Sequence, residues 1–297
     1  MNKKEIIIGT TSINRPILHS DNIPGWYEWI NSVDKNLYNI NWFINIDWIE
    51  KLESTVEDTK INYKNIIKDI PITFLESETG KGNFLQACKR VSSNIEQYVI
   101  DNNFNQSDVI IIWLEDDWKL NPTNIPLGEL ITKYLSNLTS INLSFIRPNY
   151  IHALAPSIIN YELWSKLHLE AWKNQTTHID PEHCVGLYYI KNYGKYIHVN
   201  NITVITKKNT NKKYLEQEFL NNSKSYYTYN YDDTNSLKTD RYIKESDLKE
   251  FNKDKMTFIR ITNSFCIDGV NYGRNFMKDY DLIKKRVQND KNIDFYN

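Results

Sequence analysis

Apolar residues in this chain fall into short runs separated by longer stretches with helical spacing. Glu5 to Thr10 reads as a short strand ending in the turn TTSINRP. Gly25 to Val33 reads as a helix with Trp26, Trp29 and Ile30 on one face, and Asn41 to Asp47 as a second strand. Asp58 to Lys68 is polar and fits neither type clearly. Ile72 to Leu75 is a third strand, followed by the glycine-bearing loop ESETGKGN and a helix from about Asn83 to Ile100. The run Val109 to Leu114 then shows no polar alternation, the pattern of a strand buried on both faces in the middle of a parallel sheet. Strand and helix alternating in this way predict an α/β, Rossmann-like fold, with a central mostly parallel sheet flanked by helices.

The second half is less regular. Leu127 to Leu138 has helical spacing, Ile141 to Ile146 is a strand leading into RPNYIHALAPS, and Asn160 to Trp172 is a helix. THIDPEHCVGLYYIKNYG is a loop followed by another helix, in which Asp180 suits the N-cap, Pro181 the first helical position and Glu182 the positive end of the dipole. Ile197 to Thr206 is a late strand. Lys207 to Lys255 is polar, charged and tyrosine-rich with no clear period, so a long and partly mobile excursion is expected there. Order is expected to return in MTFIRITNSF and in a terminal helix from about Asn275 to Asn289.

Composition narrows the partners more than the chemistry. The formal charge of -1 gives no global attraction to nucleic acid or to an anionic membrane. No stretch approaches the roughly 20 apolar residues of a membrane span. The three isoleucines of MNKKEIIIGTTS are too few for a signal-peptide core. Cys88, Cys184 and Cys266 lie far apart, without the spacing of a zinc knuckle or a disulfide framework. A cytoplasmic protein without a transmembrane segment is expected.

The candidate chemistry begins with Glu115, Asp116 and Asp117, at the end of the apolar run in DVIIIWLEDDWKL. Adjacent carboxylates repel one another and resist leaving water, so placing them at the mouth of a core strand calls for a cation or a set of donors. A hard divalent ion such as Mn²⁺ or Mg²⁺ meets that need. If strand geometry continues, residues 115 and 117 share a side. Glu115 and Asp117 are then the metal ligands, with Asp116 left for the ribose or the sugar. The bland alternative is a cluster that caps the next turn over Trp118.

Four stretches in order, TTSINRP, GKGNFLQACKR, LEDDW and LAPSIINYELW followed by DPE, resemble the glycosyltransferases of the GT-A fold, family 2 above all. The resemblance implies a catalytic core over 1–206, with a nucleotide-binding half at 1–120 and an acceptor-side half at 121–206. A C-terminal extension would follow at 207–297. It also implies a nucleotide-diphosphate sugar donor, with UDP favoured, and a hydroxyl acceptor on a glycan or glycoprotein. Thr10, Thr11, Arg15, Lys81, Arg90 and Arg274 become candidate donor contacts. The threonines equally suit a structural turn, the Gly80 to Asn83 loop a helix cap, and Arg274 a glycine-lined helix start. Asp180 and Glu182 become the candidate base of an inverting transfer. Capping alone accounts for Asp180. His198, at the start of the late strand, is a candidate to complete the metal shell. Two other classes remain open: a metal-dependent phosphoryl-transfer enzyme, and a carbohydrate-binding protein that kept the fold without the chemistry.

Overall fold

The computed structural model of the protein describes residues 3–50, 52, 54–77, 82–120, 126–135, 139–143, 156–173, 181, 184–185, 197–201, 224–231, 237–242, 259–262 and 266–268. It opens on β1 (Lys4–Ile13), which is three residues longer at its C-terminal end than the apolar run suggests. The threonines that look like a turn are strand because they pair on both sides. Thr10 lies opposite Ile44 and Leu114, and Thr11 opposite Asn45 and Glu115.

The next helix also starts early. α1 (Pro16–Asn31) takes Pro16 in its first turn, where the missing N–H costs nothing, and carries Pro24 inside. β2 (Tyr38–Asp47) follows. The polar stretch after it forms α2 (Val56–Ile66), nucleated by a capping box in which Thr55 and Asp58 exchange side-chain-to-backbone hydrogen bonds. β3 (Ile72–Ser77) leads to α3 (Phe84–Asp101), capped by the Asn83 side chain, which accepts from Gln86 N. β4 (Val109–Glu115) is buried until its last residue. β5 (Trp118–Leu120), α4 (Leu127–Tyr134), β6 (Thr139–Asn142) and β7 (Ser157–Asn160) come next. The helical stretch 161–173 is then built from α5 (Tyr161–Trp164), a π-helical turn over Ser165–Leu169, and α6 (Glu170–Lys173).

The late segments are described by backbone pairing. β8 (Ile197–Asn201), β9 (Lys224–Tyr231), β10 (Leu237–Tyr242) and β11 (Ile259–Thr262) join the main sheet, and β12 (Cys266–Asp268) pairs with β5. Part of the tyrosine-rich excursion is therefore the antiparallel pair β9–β10, in place of a stretch without regular structure. β11 lies between β8 and β6, so the C-terminal stretch contributes to the same sheet as the core.

The main sheet runs β10-β9-β8-β11-β6-β7-β4-β1-β2-β3. Pairing is parallel from β4 through β1 and β2 to β3, and antiparallel where β7 meets β4 and β6. Side chains alternate across the sheet. Ile110, Ile112 and Leu114 pack with α1, α2 and α4, whereas Val109, Ile111 and Trp113 pack with α3 and the 161–173 stretch. Among the described residues, no helix is long and apolar enough to cross a membrane.

Gly9 sets how closely α3 approaches. A Cβ there would stand 2.9 Å from Val91 Cγ1 and 3.1 Å from both Ile95 Cδ1 and Trp113 Cε3. These neighbours are fully buried and cannot swing away. Gly9→Ala is therefore expected to destabilise the protein by about 1–3 kcal/mol despite removing a glycine from a strand. A lower urea midpoint with an unchanged denaturant slope checks this, and an unchanged midpoint contradicts it.

Candidate functional site

The strand order reverses between β1 and β4. The chain steps outward from β1 to β2 and β3, then returns through α3 to the other side of β1. The crevice outside the carboxyl ends of the two strands at such a switch point is where α/β sheets take ligands. Here that crevice is bounded by Thr11 to Arg15 on one side and Glu115 to Asp117 on the other. Asp116 N donates to Thr11 O at 3.2 Å, tying the two ends together.

Asp116 points to the α1 face and is buried. Its Oδ2 accepts from Ser12 Oγ at 2.9 Å, Ile13 N at 3.1 Å, Arg15 Nε at 2.9 Å and His19 Nε2 at 2.7 Å. Its Oδ1 accepts from Arg15 Nη2. Burial alone raises a carboxyl pKa, but the Arg15 charge and the donors from His19 and Arg15 override it and hold Asp116 well below the usual carboxylate range. For Arg15, burial is likewise the largest influence and opposes the charge, yet Asp116 and then Asp117 reverse it, so the guanidinium stays charged. The carboxylate expected to meet a ribose or sugar is thus occupied by this chain's own donors.

His19 is fully buried and its pKa is lowered, chiefly by burial, which outweighs the pull of Asp116. The geometry agrees with a neutral ring. Asp116 can only accept, so Nε2 carries the proton, and among the described residues Nδ1 has no hydrogen-bond partner. Tyr63 of α2 lies beside it, the rings tilted by 31° with centroids 4.7 Å apart, and donates to Ser12 Oγ at 3.2 Å. Burial pushes the Tyr63 phenol well above its ordinary value.

The other two carboxylates keep more room. Glu115 is half-buried and accepts from Trp118 Nε1 at 2.8 Å through Oε2. The Asp117 side chain is 19% exposed, and its Oδ2 lies 3.6 Å from Arg15 Nη2. β4 ends at Glu115, so residues 116 and 117 form a turn and do not continue the strand. Among the described residues, no group of three His, Cys, Asp or Glu side chains is placed to enclose a metal. Two oxygen-donating carboxylates do suit a hard cation that keeps most of its shell for water and a ligand's phosphates. Three carboxylates stand at consecutive positions here, and the Arg15 guanidinium pairs with two of them, Asp116 closely and Asp117 at 3.6 Å. The donor set fits an open Mn²⁺ or Mg²⁺ site.

A second polar cluster lies on the α3 face. Arg90 donates to Asn45 Oδ1 at 2.7 Å and to Asp47 Oδ1, while Asp47 Oδ2 accepts from Asn83 N at 2.8 Å. This fixes the start of α3 to the end of β2. A Cβ at Gly82 would meet Asp47 at ordinary contact distance, 3.5 Å, and the tip of Ile49 at 2.6 Å. Asn14 is buried nearby, accepting from Ile49 N at 2.7 Å and donating to Ser54 O at 2.5 Å, and so holds the loop after β2.

The structure therefore brings Thr11, Arg15, Glu115, Asp116 and Asp117 to one edge, and Arg90 to the neighbouring one. Thr10 lies within the sheet, fully buried, with its hydroxyl accepting from Trp42 Nε1 at 2.8 Å. His198 falls in β8, opposite Tyr227 and Arg260 in register. Lys81, Asp180, Glu182 and Arg274 lie outside the described residues. Sequence pattern alone passes over His19, Asn22, Asn45 and Asp47. The signal for the first two is a polar stripe at helical spacing (Arg15, His19, Asn22), hidden because Pro24 and Gly25 place the helix start too late.

No family model and no curated protein sequence matches the chain. Solved structures do. S. aureus TarS 1-349 in complex with UDP aligns at a TM-score of 0.41 and 11% identity, over 63% of this chain and 55% of that one. The mannosyltransferase PcManGT from Pyrobaculum calidifontis, in complex with GDP-Man and Mn²⁺, aligns at 0.39 and 12%, over 62% of this chain and 51% of that one. A glycosyltransferase involved in glycosylation of the major capsid of PBCV-1 aligns at 0.33 and 15%, over 63% and 74%. Glycosyltransferases are among the solved structures this chain resembles. At these identities the likeness is one of chain arrangement, and the chain spans about half the length of the first two.

Proposed function

We propose that this chain is a metal-dependent glycosyltransferase acting in the cytoplasm. It would move a sugar from a nucleotide diphosphate, UDP favoured, to a hydroxyl of a glycan or glycoprotein, with inversion. The observation that carries the reading is the pair Glu115 and Asp117 at the mouth of the β1–β4 switch point, on either side of an Asp116 already neutralised by Arg15. Negative charge grows on the diphosphate as the sugar departs. The site needs positive charge at that place, and Glu115 and Asp117 are the residues that would hold Mn²⁺ or Mg²⁺ to supply it.

The chain's own residues divide the remaining work. Arg15 and Asp116 keep the acidic loop in place. Thr11 and Arg90 border the crevice where base and ribose would lie, with Lys81 and Arg274 as further donor contacts and His198 as a further metal ligand. Asp180 or Glu182 would take the proton of the attacking hydroxyl, on the side of the sugar opposite the departing phosphate. The decisive measurement is calorimetric titration of UDP and of UDP-sugars with and without Mn²⁺. Binding that appears with Mn²⁺ and disappears with EDTA is expected. Absence of binding by any nucleotide sugar in the presence of Mn²⁺ removes the reading.

A further inference from the structure

α1 presents one stripe to the acidic loop. Arg15, His19, Asn22 and Trp26 are spaced four, three and four residues apart, which places them on one face of the helix. Each donates to residue 116 or 118. Arg15 and His19 bond the Asp116 carboxylate, Asn22 Nδ2 donates to Asp116 O at 3.1 Å, and Trp26 Nε1 donates to Trp118 O at 2.8 Å. Trp118 in turn donates its ring N–H to Glu115. The helix thus grips positions 116 and 118 by backbone and side chain together. A stripe devoted only to packing would have been met by leucine or isoleucine, without desolvating four polar groups.

We propose that His19 and Asn22 are positioning residues: by clamping Asp116, they fix where Glu115 and Asp117 stand and so set the affinity of the cation site. This rests on the metal-dependent reading above. Both residues act through Asp116 and are not among the proposed metal ligands. Groups of this kind, which hold ligands in orientation, typically change metal affinity by on the order of 10–100-fold when removed. The clamp also explains a fully buried histidine, which hydrophobic packing alone would not retain.

The test uses the full chain, with Mn²⁺ alone and then Mn²⁺ with UDP as probes. His19→Leu removes the donor at similar bulk, and His19→Gln restores an N–H close to the Nε2 position. With folding verified by circular dichroism and the urea midpoint, His19→Leu is expected to weaken Mn²⁺ binding by on the order of tenfold or more, and His19→Gln to recover most of it. A folded His19→Leu that binds Mn²⁺ as the wild type does overturns the proposal. Should His19→Leu fail to fold, Asn22→Ala decides in the same way. Hydrogen exchange of the amides of Asp117 and Trp118 reads the clamp without metal, and faster exchange in the variants is expected. Wild-type protein that binds neither probe defeats the metal-dependent reading. The clamp is then decided by exchange alone, and unchanged exchange in the variants overturns it.

Discussion

Asp116→Ala is expected to lower the free energy of unfolding by about 3–5 kcal/mol, because it leaves the Arg15 guanidinium buried without its main partner. The loss extends beyond one ion pair. Ser12 Oγ, Ile13 N and His19 Nε2 all donate to the same carboxylate and would lose that acceptor, although Ser12 Oγ keeps its contacts to Tyr63, Ile13 O and His19. Asp117, at 3.6 Å from Arg15, is placed to recover only part of the charge interaction. Urea unfolding followed by tryptophan fluorescence measures the difference, and a loss below about 1 kcal/mol would contradict a buried pair of this kind.

The same network has a pH signature with a definite sign. Asp116 is held below its ordinary pKa in the folded state, so its contribution is complete above the unfolded value of about 4 and is lost as pH falls below it. The His19 pKa is also lowered, so the unfolded chain binds a proton that the folded chain refuses. That contribution is present above about 6.5 and is lost as pH falls below that. Wild-type stability is therefore expected to decline in two stages on acidification, and His19→Gln to lack the first.

How much of this is legible in the sequence depends on whether the cause is local. The buried run of β4 and its acidic end announce themselves because a strand covered on both faces cannot alternate. The helix of α2 has a local signal as well, the Thr55 to Asp58 capping box, but its polar surface hides the period. β1 reads as ending at Thr10 because threonine, serine and asparagine suit turns. Only pairing with β2 on one side and β4 on the other carries the strand on to Ile13. The antiparallel strand β7 and the hairpin β9–β10 are not legible, since their partners lie far along the chain or in stretches with no alternation of their own. At the site, residue types pick out the acidic loop but not the chain's own donors that bond Asp116. The donors that claim it sit some hundred positions earlier, on a helix whose first two turns look like a loop.

Asp117→Ala should separate chemistry from stability in the opposite sense to Asp116→Ala. Asp117 sits in the turn after β4, with a partly exposed side chain and a long contact to an arginine that already has a closer partner. Its removal should therefore shift the urea midpoint little, within about 0.5–1 kcal/mol. Under the proposed function, however, it removes one of two carboxylates that hold the charge facing a departing diphosphate. Losing a preorganised group aimed at charge that develops in the transition state costs on the order of 10²–10³-fold in rate, which is about 3–4 kcal/mol of barrier. Glu115→Gln keeps the acceptor for Trp118 Nε1 while halving the carboxylate pair, so it should show a smaller loss that raised Mn²⁺ partly restores. Initial rates of UDP release at saturating donor, across a series of Mn²⁺ concentrations, distinguish the two. An Asp117→Ala protein that turns over at the wild-type rate would leave the acidic loop a structural cap over Trp118. A folded Asp117→Ala protein that has lost turnover, beside an Asp116→Ala protein that has lost stability, would assign adjacent carboxylates on one turn to different work.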